Sequence, residues 1–279
     1  MTTTTENLTT GWEPETPVED SLLRRYLFCW AHQCEAFATS AGGRAVQGPA
    51  FAAADFGRPS GWFNSATLLA PLEPATADGV LDEVEAFFAG GTGEALLWSA
   101  WPTGDLQRRG WHLIGHPPLL VRPPARLVGV PEAPDVRVTE VDDPAGLVDW
   151  ERVAVEGYPL PELQPFRAGS LVDERILADA RLRLTLGWDD GEPVSLGALF
   201  ADSGIACFAL GVTQPTARGR GHWRAHAVHR LNTAPDVWVT GVFSDYSRSP
   251  AQRIGFVPIL RFTLWARPRN EDRAQRSTP

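Results

Sequence analysis

Lysine is absent from this chain of 279 residues, and all 25 basic residues are arginine. A lysine nucleophile and a lysine Schiff base are therefore excluded. The formal net charge of −9 also argues against wholesale binding of nucleic acid, because such binding needs basic patches that neutralise phosphates.

Cysteine is scarce as well. Cys29, Cys34 and Cys207 are the only three, and their spacing contains neither CxxC nor a Cys/His metal pattern. A sparse, odd number of cysteines indicates reduced thiols, which predicts a cytoplasmic protein. The chain lacks apolar runs of about 18 residues, so no membrane-spanning helix is expected. Its first residues lack the basic and apolar regions of a signal peptide, and none is expected.

Aromatic and apolar residues are plentiful. Eleven tryptophans and a hydrophobic content of 43% supply the area for a sizeable core. The tryptophans are also compatible with a ligand pocket or with the contact face of a homodimer. The length allows two domains. The proline-rich stretch 123–134 predicts a linker between domains 21–122 and 135–268, with flexible tails at 1–20 and 269–279.

The most informative stretch runs from Ile205 to Leu231. It begins with an apolar run of strand length, which Pro215 ends because proline cannot donate to a strand ladder. Two glycines and two arginines follow, and apolar residues then recur at roughly helical spacing. The pattern predicts a strand, a glycine-containing turn and a helix.

This order of strand, glycine turn and helix is suited to binding an anion. The first amides of a helix lack partners and lie at the positive end of its dipole, glycines let a ligand approach, and arginines add charge. The turn Arg218–Gly221 therefore predicts a socket for a phosphate or pyrophosphate. An ordinary strand-to-helix connection with exposed arginines explains the glycines equally well. The turn matches neither a P-loop nor the GxGxxG fingerprint.

The same residues resemble motif A of the GCN5-related N-acetyltransferases (GNAT), in which a strand precedes Arg/Gln-x-x-Gly-x-Gly/Ala and a helix. The last, small position is Trp223 here. The resemblance implies that acetyl-CoA or another acyl-CoA is the co-substrate, with no metal. It implies that the strand end splays from its neighbour and pairs with pantetheine. The implied CoA-binding residues are Gly211, Val212, Thr213, Arg218, Gly219, Arg220, Gly221, His222 and Trp223.

The resemblance covers roughly residues 136–267, where the order of helices and strands is that of a GNAT domain. It includes an Ile254–Gly255–Phe256 turn and a last strand at Leu260 to Trp265. The first half resembles a degenerate GNAT domain through the stretch Leu106–Gly115, and its lack of the glycine loop predicts no CoA site there. The expected fold is α/β: two GNAT-like domains in tandem, each a mixed, mostly antiparallel sheet flanked by helices.

The catalytic acid is the least defined part. GNAT enzymes often carry a tyrosine four residues before the glycine of the last turn, and Ala251 occupies that position here. Tyr246 lies close by and is a candidate substitute, unless it is a solvated loop residue. Glu156 and Glu162 fall where GNAT proteins build the acceptor site, as a base or as ligands for a cationic substrate. Taken alone, each is better explained as an ordinary surface carboxylate.

Three histidines, His222, His226 and His229, lie at i, i+4 and i+7 on one helical face. Without an HExxH pattern this spacing is a weak metal signal, and no metal site is predicted. His222 is a candidate to reach the phosphate socket instead. Cys207 lies in the apolar strand, where a buried, inert thiol is expected.

Three functions follow from these patterns. The first is an acyl-CoA-dependent N-acyltransferase, with acetyl as the expected group, acting on the amine of a small molecule. The second is a GNAT-like enzyme that no longer uses CoA and performs a cyclisation, hydrolysis or decarboxylation in a biosynthetic pathway. Trp223 and Ala251 motivate it. The third is a non-catalytic binding or dimer-forming module.

Overall fold

A computed structural model of the protein defines two sheets and five α-helices within the residues that it describes. The predicted tails and the predicted linker lie partly outside these residues. The described residues are 10–58, 64–127, 129, 136–158 and 160–269.

The first half opens with a long helix, α1 (Leu22–Ser40). Ser21 begins it, because the serine hydroxyl accepts the N–H of Arg24 at 3.2 Å. A second helix, α2 (Ala77–Phe87), joins the parallel strands β3 and β4. The strands of this half are β1 (Arg44–Gln47), β2 (Phe51–Asp55), β3 (Ser65–Leu68), β4 (Glu94–Ser99), β5 (His112–Gly115) and β6 (Pro118–Arg122).

The second half contains α3 (Pro144–Gly157), α4 (His222–Thr233) and α5 (Asp245–Arg253). Asp143 fixes the start of α3, since its carboxylate accepts two backbone N–H groups at 2.8 and 2.9 Å. The strands are β7 (Arg137–Val141), β8 (Leu182–Asp189), β9 (Glu192–Asp202), β10 (Ile205–Thr213), β11 (Trp238–Val242), β12 (Val257–Arg261) and β13 (Thr263–Pro268).

Each half gives one strand to the sheet of the other half. The first sheet has the order β1-β2-β3-β4-β13-β5, and the second has the order β12-β6-β11-β10-β9-β8-β7. Strand β6 lies antiparallel between β11 and β12, and β13 lies antiparallel between β4 and β5. Both sheets are mixed and mostly antiparallel, as expected. Sheet membership does not follow the boundary predicted at 123–134, and the domain limits remain a prediction.

The two halves also share a core. Its largest hydrophobic cluster joins α1 and strands of the first sheet to α3 and strands of the second. Cys29 on α1 lies 3.0 Å from Cys207 on β10, sulfur to sulfur. The core of the molecule is therefore continuous across the two halves. Large side chains in this cluster include Tyr26, Phe37, Trp98, Trp150 and Phe200.

The single last strand predicted at Leu260 to Trp265 is wrong. The chain breaks at Phe262, so that β12 ends in the second sheet and β13 begins in the first. Phe262 is buried at the break, with its ring 5.6 Å from that of Tyr26. Apolar patterning marks both strands, but it does not reveal a change of sheet within one run.

Residues 170–178 form only a short 3-10 turn, Glu174–Ala178, rather than a longer helix. Glu151 on α3 explains the difference. Its buried carboxylate accepts the N–H of Gly169 at 2.7 Å, together with those of Leu171 and Val172. Amides that bind a carboxylate in this way hold the segment in a loop, and a helix starts only afterwards.

The predicted turn at Gly255 and Phe256 is present, and the stretch Leu106–Gly115 contains a similar turn at Gly110 and Trp111. Gly110 and Gly255 have φ values of +83° and +93°, a region that favours glycine. Trp111 and Phe256, which follow them, are buried. None of the described helices is both long and apolar enough to cross a bilayer.

Candidate active site

The central strand β10 separates from its parallel neighbour β11. Their pairing runs from Ile205 only as far as Cys207, which lies opposite Thr240. On its other side β10 stays paired with β9 as far as Thr213, with one extra residue, Ala209, forming a bulge. The second part of β10 therefore has an open edge that faces a cleft.

The glycine turn after β10 leads into α4 as predicted. Gly219 and Gly221 have φ values of +82° and +95°, and Gly221 is the N-cap of the helix without a side-chain cap. Within the described part of the chain, no hydrogen bond occupies the amides from Gly219 to Trp223. These amides and the positive end of the helix are the features that bind phosphate.

The two arginines of the turn are exposed and already engaged. The Arg218 Nε donates to the backbone oxygen of Thr213 at 3.1 Å, and Arg220 forms an ion pair with Asp189 at the end of β8. An incoming pyrophosphate would compete with these contacts. Surface pairs of this kind contribute about 0–1 kcal/mol, so both guanidinium groups are available to a ligand.

The side chain of His222, the candidate for the phosphate socket, starts from the first position of α4. It is buried against the sheet, where Nδ1 lies 2.9 Å from the Ser195 hydroxyl. The same hydroxyl is 3.0 Å from Nε2 of His226. Desolvation lowers the pKa of His222 and lowers that of His226 well below the usual value. His229 lies apart, 3.6 Å from Glu140.

Strand glycines make room for this polar face of α4. A β-carbon at Gly187 would lie 2.2 Å from the Ser195 oxygen and 2.7 Å from His226 Nε2, and one at Gly197 would lie 3.0 Å from the Thr185 oxygen. Only glycine permits such an approach. The stripe His222, His226 and Arg230 is buried along the helix for this reason.

A cavity of about 170 Å³ occupies the gap between β10 and β11. Its lining includes four aromatic residues and two serines. An engineered apolar cavity of about 150 Å³ holds a molecule of the size of benzene, so the cavity accepts a small group in its present form. Its lining includes Tyr158, Phe208, Gly211, Trp223, Arg230, Phe243, Ser244 and Ser247.

Tyr158 enters the cleft from the C-terminal end of α3. Its hydroxyl accepts the N–H of Gly211 at 2.8 Å, on the open edge of β10. Burial raises the pKa of Tyr158 to about 12, although the N–H of Gly211 and the charge of Arg230 act in the opposite direction. The phenol is therefore protonated at neutral pH and is a proton donor.

Arg230 enters from α4 on the opposite face of the sheet. The residue is only 3% exposed. Its Nη1 donates to the oxygens of Ala198 and Leu210 at 3.1 and 3.0 Å, and its guanidinium carbon lies 3.8 Å from the centre of the Phe208 ring. Burial lowers the pKa of Arg230 to about 9, so that the side chain is still a cation at neutral pH.

The structure does not bring Tyr246 into the cleft. It lies in the first turn of α5 and is 94% exposed, whereas Ser244 and Ser247 line the cavity. Glu156 is exposed at the end of α3 and accepts Nε2 of Gln214 at 2.8 Å, beyond the open end of β10. Glu162 is exposed in a 3-10 turn at Pro161–Leu163.

Tyr158 and Arg230 are the cleft residues that sequence reasoning missed. Arg230 follows His222 and His226 at intervals of four, which is a helical stripe, and the strands opposite carry unusually small residues. Together these two patterns indicate a helix face that is both polar and buried. Nothing in the sequence placed Tyr158 beside Gly211, because that contact joins residues 53 positions apart.

No protein-family model matches the chain, and no curated protein matches it. Several solved structures match it in fold. A GCN5-related N-acetyltransferase from Kribbella flavida is 18% identical, with 85% of this chain and 95% of that chain covered and a TM-score of 0.60. A putative GNAT-family acetyltransferase from Novosphingobium aromaticivorans is 16% identical, with coverages of 84% and 96% and a TM-score of 0.52.

A GCN5-related N-acetyltransferase from Sphaerobacter thermophilus is 11% identical, with 78% of this chain and 76% of that chain covered and a TM-score of 0.53. All three matches extend over far more than half of this chain, so both sheets take part in them. The protein therefore has the fold of the GCN5-related N-acetyltransferases, in a tandem arrangement of two GNAT-like halves.

Proposed function

We propose that the protein is an acyl-CoA-dependent N-acyltransferase that transfers an acyl group, acetyl in the simplest case, to the amine of a small molecule. One observation carries the proposal: an open strand edge leads directly to a glycine turn whose helix amides have no partner in the described residues. The turn would hold the pyrophosphate through the amides of residues 219–223, with the side chains of Arg218 and Arg220 adding charge.

Acyl-CoA supplies an activated thioester, and the protein has to position it and manage two protons. The amine must lose a proton before attack, and the leaving thiolate must gain one. We assign the second task to Tyr158, whose protonated hydroxyl lies in the cleft beside Gly211. Glu156 and Glu162, which are both exposed, are assigned to attract the cationic amine.

Two contacts favour a second candidate, a GNAT-like enzyme that works without CoA. The Tyr158 hydroxyl occupies the amide of Gly211, and Arg218 occupies the oxygen of Thr213. Pantetheine would need both positions to pair with the open edge. Trp223 also lines the cavity of about 170 Å³, which is smaller than the roughly 300 Å³ at which ordinary ligand pockets begin. CoA binding thus requires Tyr158 and Arg218 to move.

The proposal is tested with acetyl-CoA and a panel of small primary amines, by following the free thiol of released CoA. Wild-type protein should release CoA faster with at least one amine than without amine. Tyr158→Phe should lower kcat by about 10²–10⁴, the usual contribution of a general acid. Tyr246→Phe is the matched control and should leave kcat unchanged, because that hydroxyl points to solvent.

Equal loss in the two tyrosine variants would contradict the assignment of Tyr158. Absence of turnover with every amine, together with no heat of acetyl-CoA binding, would favour the CoA-independent enzyme or the non-catalytic module. A homodimer and a cytoplasmic location remain proposals from composition, and sedimentation of the purified protein tests the first of them.

A further inference from the structure

Within the described part of the chain, Arg230 is a cation in the interior of the second half with no carboxylate paired to it. It forms no ion pair among the described residues, whereas Arg220 and Arg269 are paired with Asp189 and Asp55. A buried charge is costly unless it is paired and fully hydrogen-bonded. A ligand that carries the opposite charge would offset this cost.

The guanidinium is only partly satisfied by the protein. Nη1 donates to the oxygens of Ala198 and Leu210, and Nε donates to that of His226 at 3.2 Å. Nη2 has no hydrogen-bond partner among the described residues, and it is the group that lies beside Gly211. A β-carbon at Gly211 would be 3.6 Å from Nη2, so the absence of a side chain keeps the approach to this nitrogen open.

The cavity accepts only a compact, singly charged group. Its volume is about 170 Å³, and Arg230 and the neutral phenol of Tyr158 lie in its lining. A monoanion neutralises one guanidinium, whereas a dianion such as phosphate would leave a net negative charge in a desolvated site. Carboxylate oxygens accept hydrogen bonds from guanidinium N–H groups in the geometry that arginine favours.

We infer that Arg230 binds a carboxylate group of a substrate in the cleft between β10 and β11. The inference depends on the proposed function only in taking this cleft to be the acyl-transfer site. The carboxylate belongs either to the acyl group, as in a dicarboxylic acid bound through one thioester, or to the amine acceptor, as in an amino acid.

The first test uses wild-type protein with butyrate and with butyramide, which have the same size and differ in charge. Butyrate should raise the melting temperature, while butyramide and inorganic phosphate should not. Arg230→Met, of similar length but without charge, should lose the response to butyrate. Arg253→Met removes an exposed arginine outside the cleft and should keep the response.

The second test separates the two sources. Wild-type protein should prefer succinyl-CoA over butyryl-CoA by at least about tenfold if the carboxylate is on the acyl group, and glycine over glycinamide as acceptor if it is on the amine. Arg230→Met should abolish whichever preference is found.

Equal effects of butyrate and butyramide on wild-type protein would overturn the inference, and this comparison needs no variant to fold. A larger effect of phosphate, or an Arg230→Met protein that responds like wild type, would overturn it too. Free butyrate involves no CoA, so a response to butyrate without acetyl-CoA binding would contradict the proposed function and leave the carboxylate site standing.

Discussion

Replacing Arg230 by methionine tests whether the main role of this arginine is to bind a ligand or to stabilise the fold. Burial lowers the pKa of this arginine by several units from its usual value, to about 9. Since one pKa unit corresponds to about 1.4 kcal/mol, the buried charge costs the folded state roughly 5 kcal/mol. Arg230→Met removes that cost while keeping the length of the side chain.

The opposing loss consists of the hydrogen bonds to the oxygens of Ala198, Leu210 and His226. A hydrogen bond from a charged donor contributes about 1.5–3 kcal/mol, so three amount to roughly 5–9 kcal/mol at most. The loss is smaller for a backbone oxygen that still accepts a hydrogen bond from a neighbouring strand. We therefore expect Arg230→Met to change the free energy of unfolding by less than about 3 kcal/mol, since apolar replacement of buried charges is often neutral or stabilising.

Urea unfolding at neutral pH, followed by tryptophan fluorescence, measures this difference. Arg253→Met, at an exposed site, should change the free energy of unfolding by less than about 0.5 kcal/mol. A loss well above 3 kcal/mol in Arg230→Met would show that the guanidinium mainly supports the bulge in β10. The reasoning about an unmatched charge would then be refuted.

Three further predictions concern the rest of the fold. The pKa of His226 is depressed in the folded protein, so below about pH 6.5 the unfolded chain takes up a proton that the folded chain does not. The free energy of unfolding should therefore fall as the pH decreases below about 6.5, by up to about 1.4 kcal/mol per pH unit. Urea unfolding between neutral and mildly acidic pH should show a shallower fall in His226→Leu, and an equal fall would contradict the depressed pKa. Glu151→Ala should lower the free energy of unfolding by about 3–5 kcal/mol in the same assay, because it leaves the amides of the loop after residue 168 without their acceptor. A decrease no larger than that caused by Asp149→Ala would refute this role of Glu151. Burial raises the pKa of Cys34 to about 12 and that of Cys29 well above normal, so a thiol reagent should react only after denaturation, and rapid labelling of native protein would disprove this burial.

Local signals in the sequence were sufficient for the turn and the helices near it. Gly219 and Gly221 adopt the positive φ values that glycine permits. Asp143, followed by Pro144 at the first helical position, marks the N-terminus of α3. These features depend on a few adjacent residues. They are therefore encoded where a reader of the sequence can find them.

Long-range features were not readable in the same way. The apolar run through Phe262 has the pattern of one strand, yet the chain changes sheet there, because patterning gives a strand its two faces but not its neighbours. Likewise Tyr246 lies nearer in sequence to the expected acid position than Tyr158, but α5 turns it outward. The direction of a side chain was decided by tertiary packing.

Calorimetric titration of acetyl-CoA into wild-type protein and Arg220→Ala tests the central claim most directly, namely that the open edge of β10 and the amides of the glycine turn form an acyl-CoA site. We predict binding to wild-type protein in the millimolar range or tighter, a clear loss of affinity in Arg220→Ala, and unchanged binding in Arg253→Met. No heat of binding at millimolar acetyl-CoA, or equal binding by Arg220→Ala, would contradict that claim.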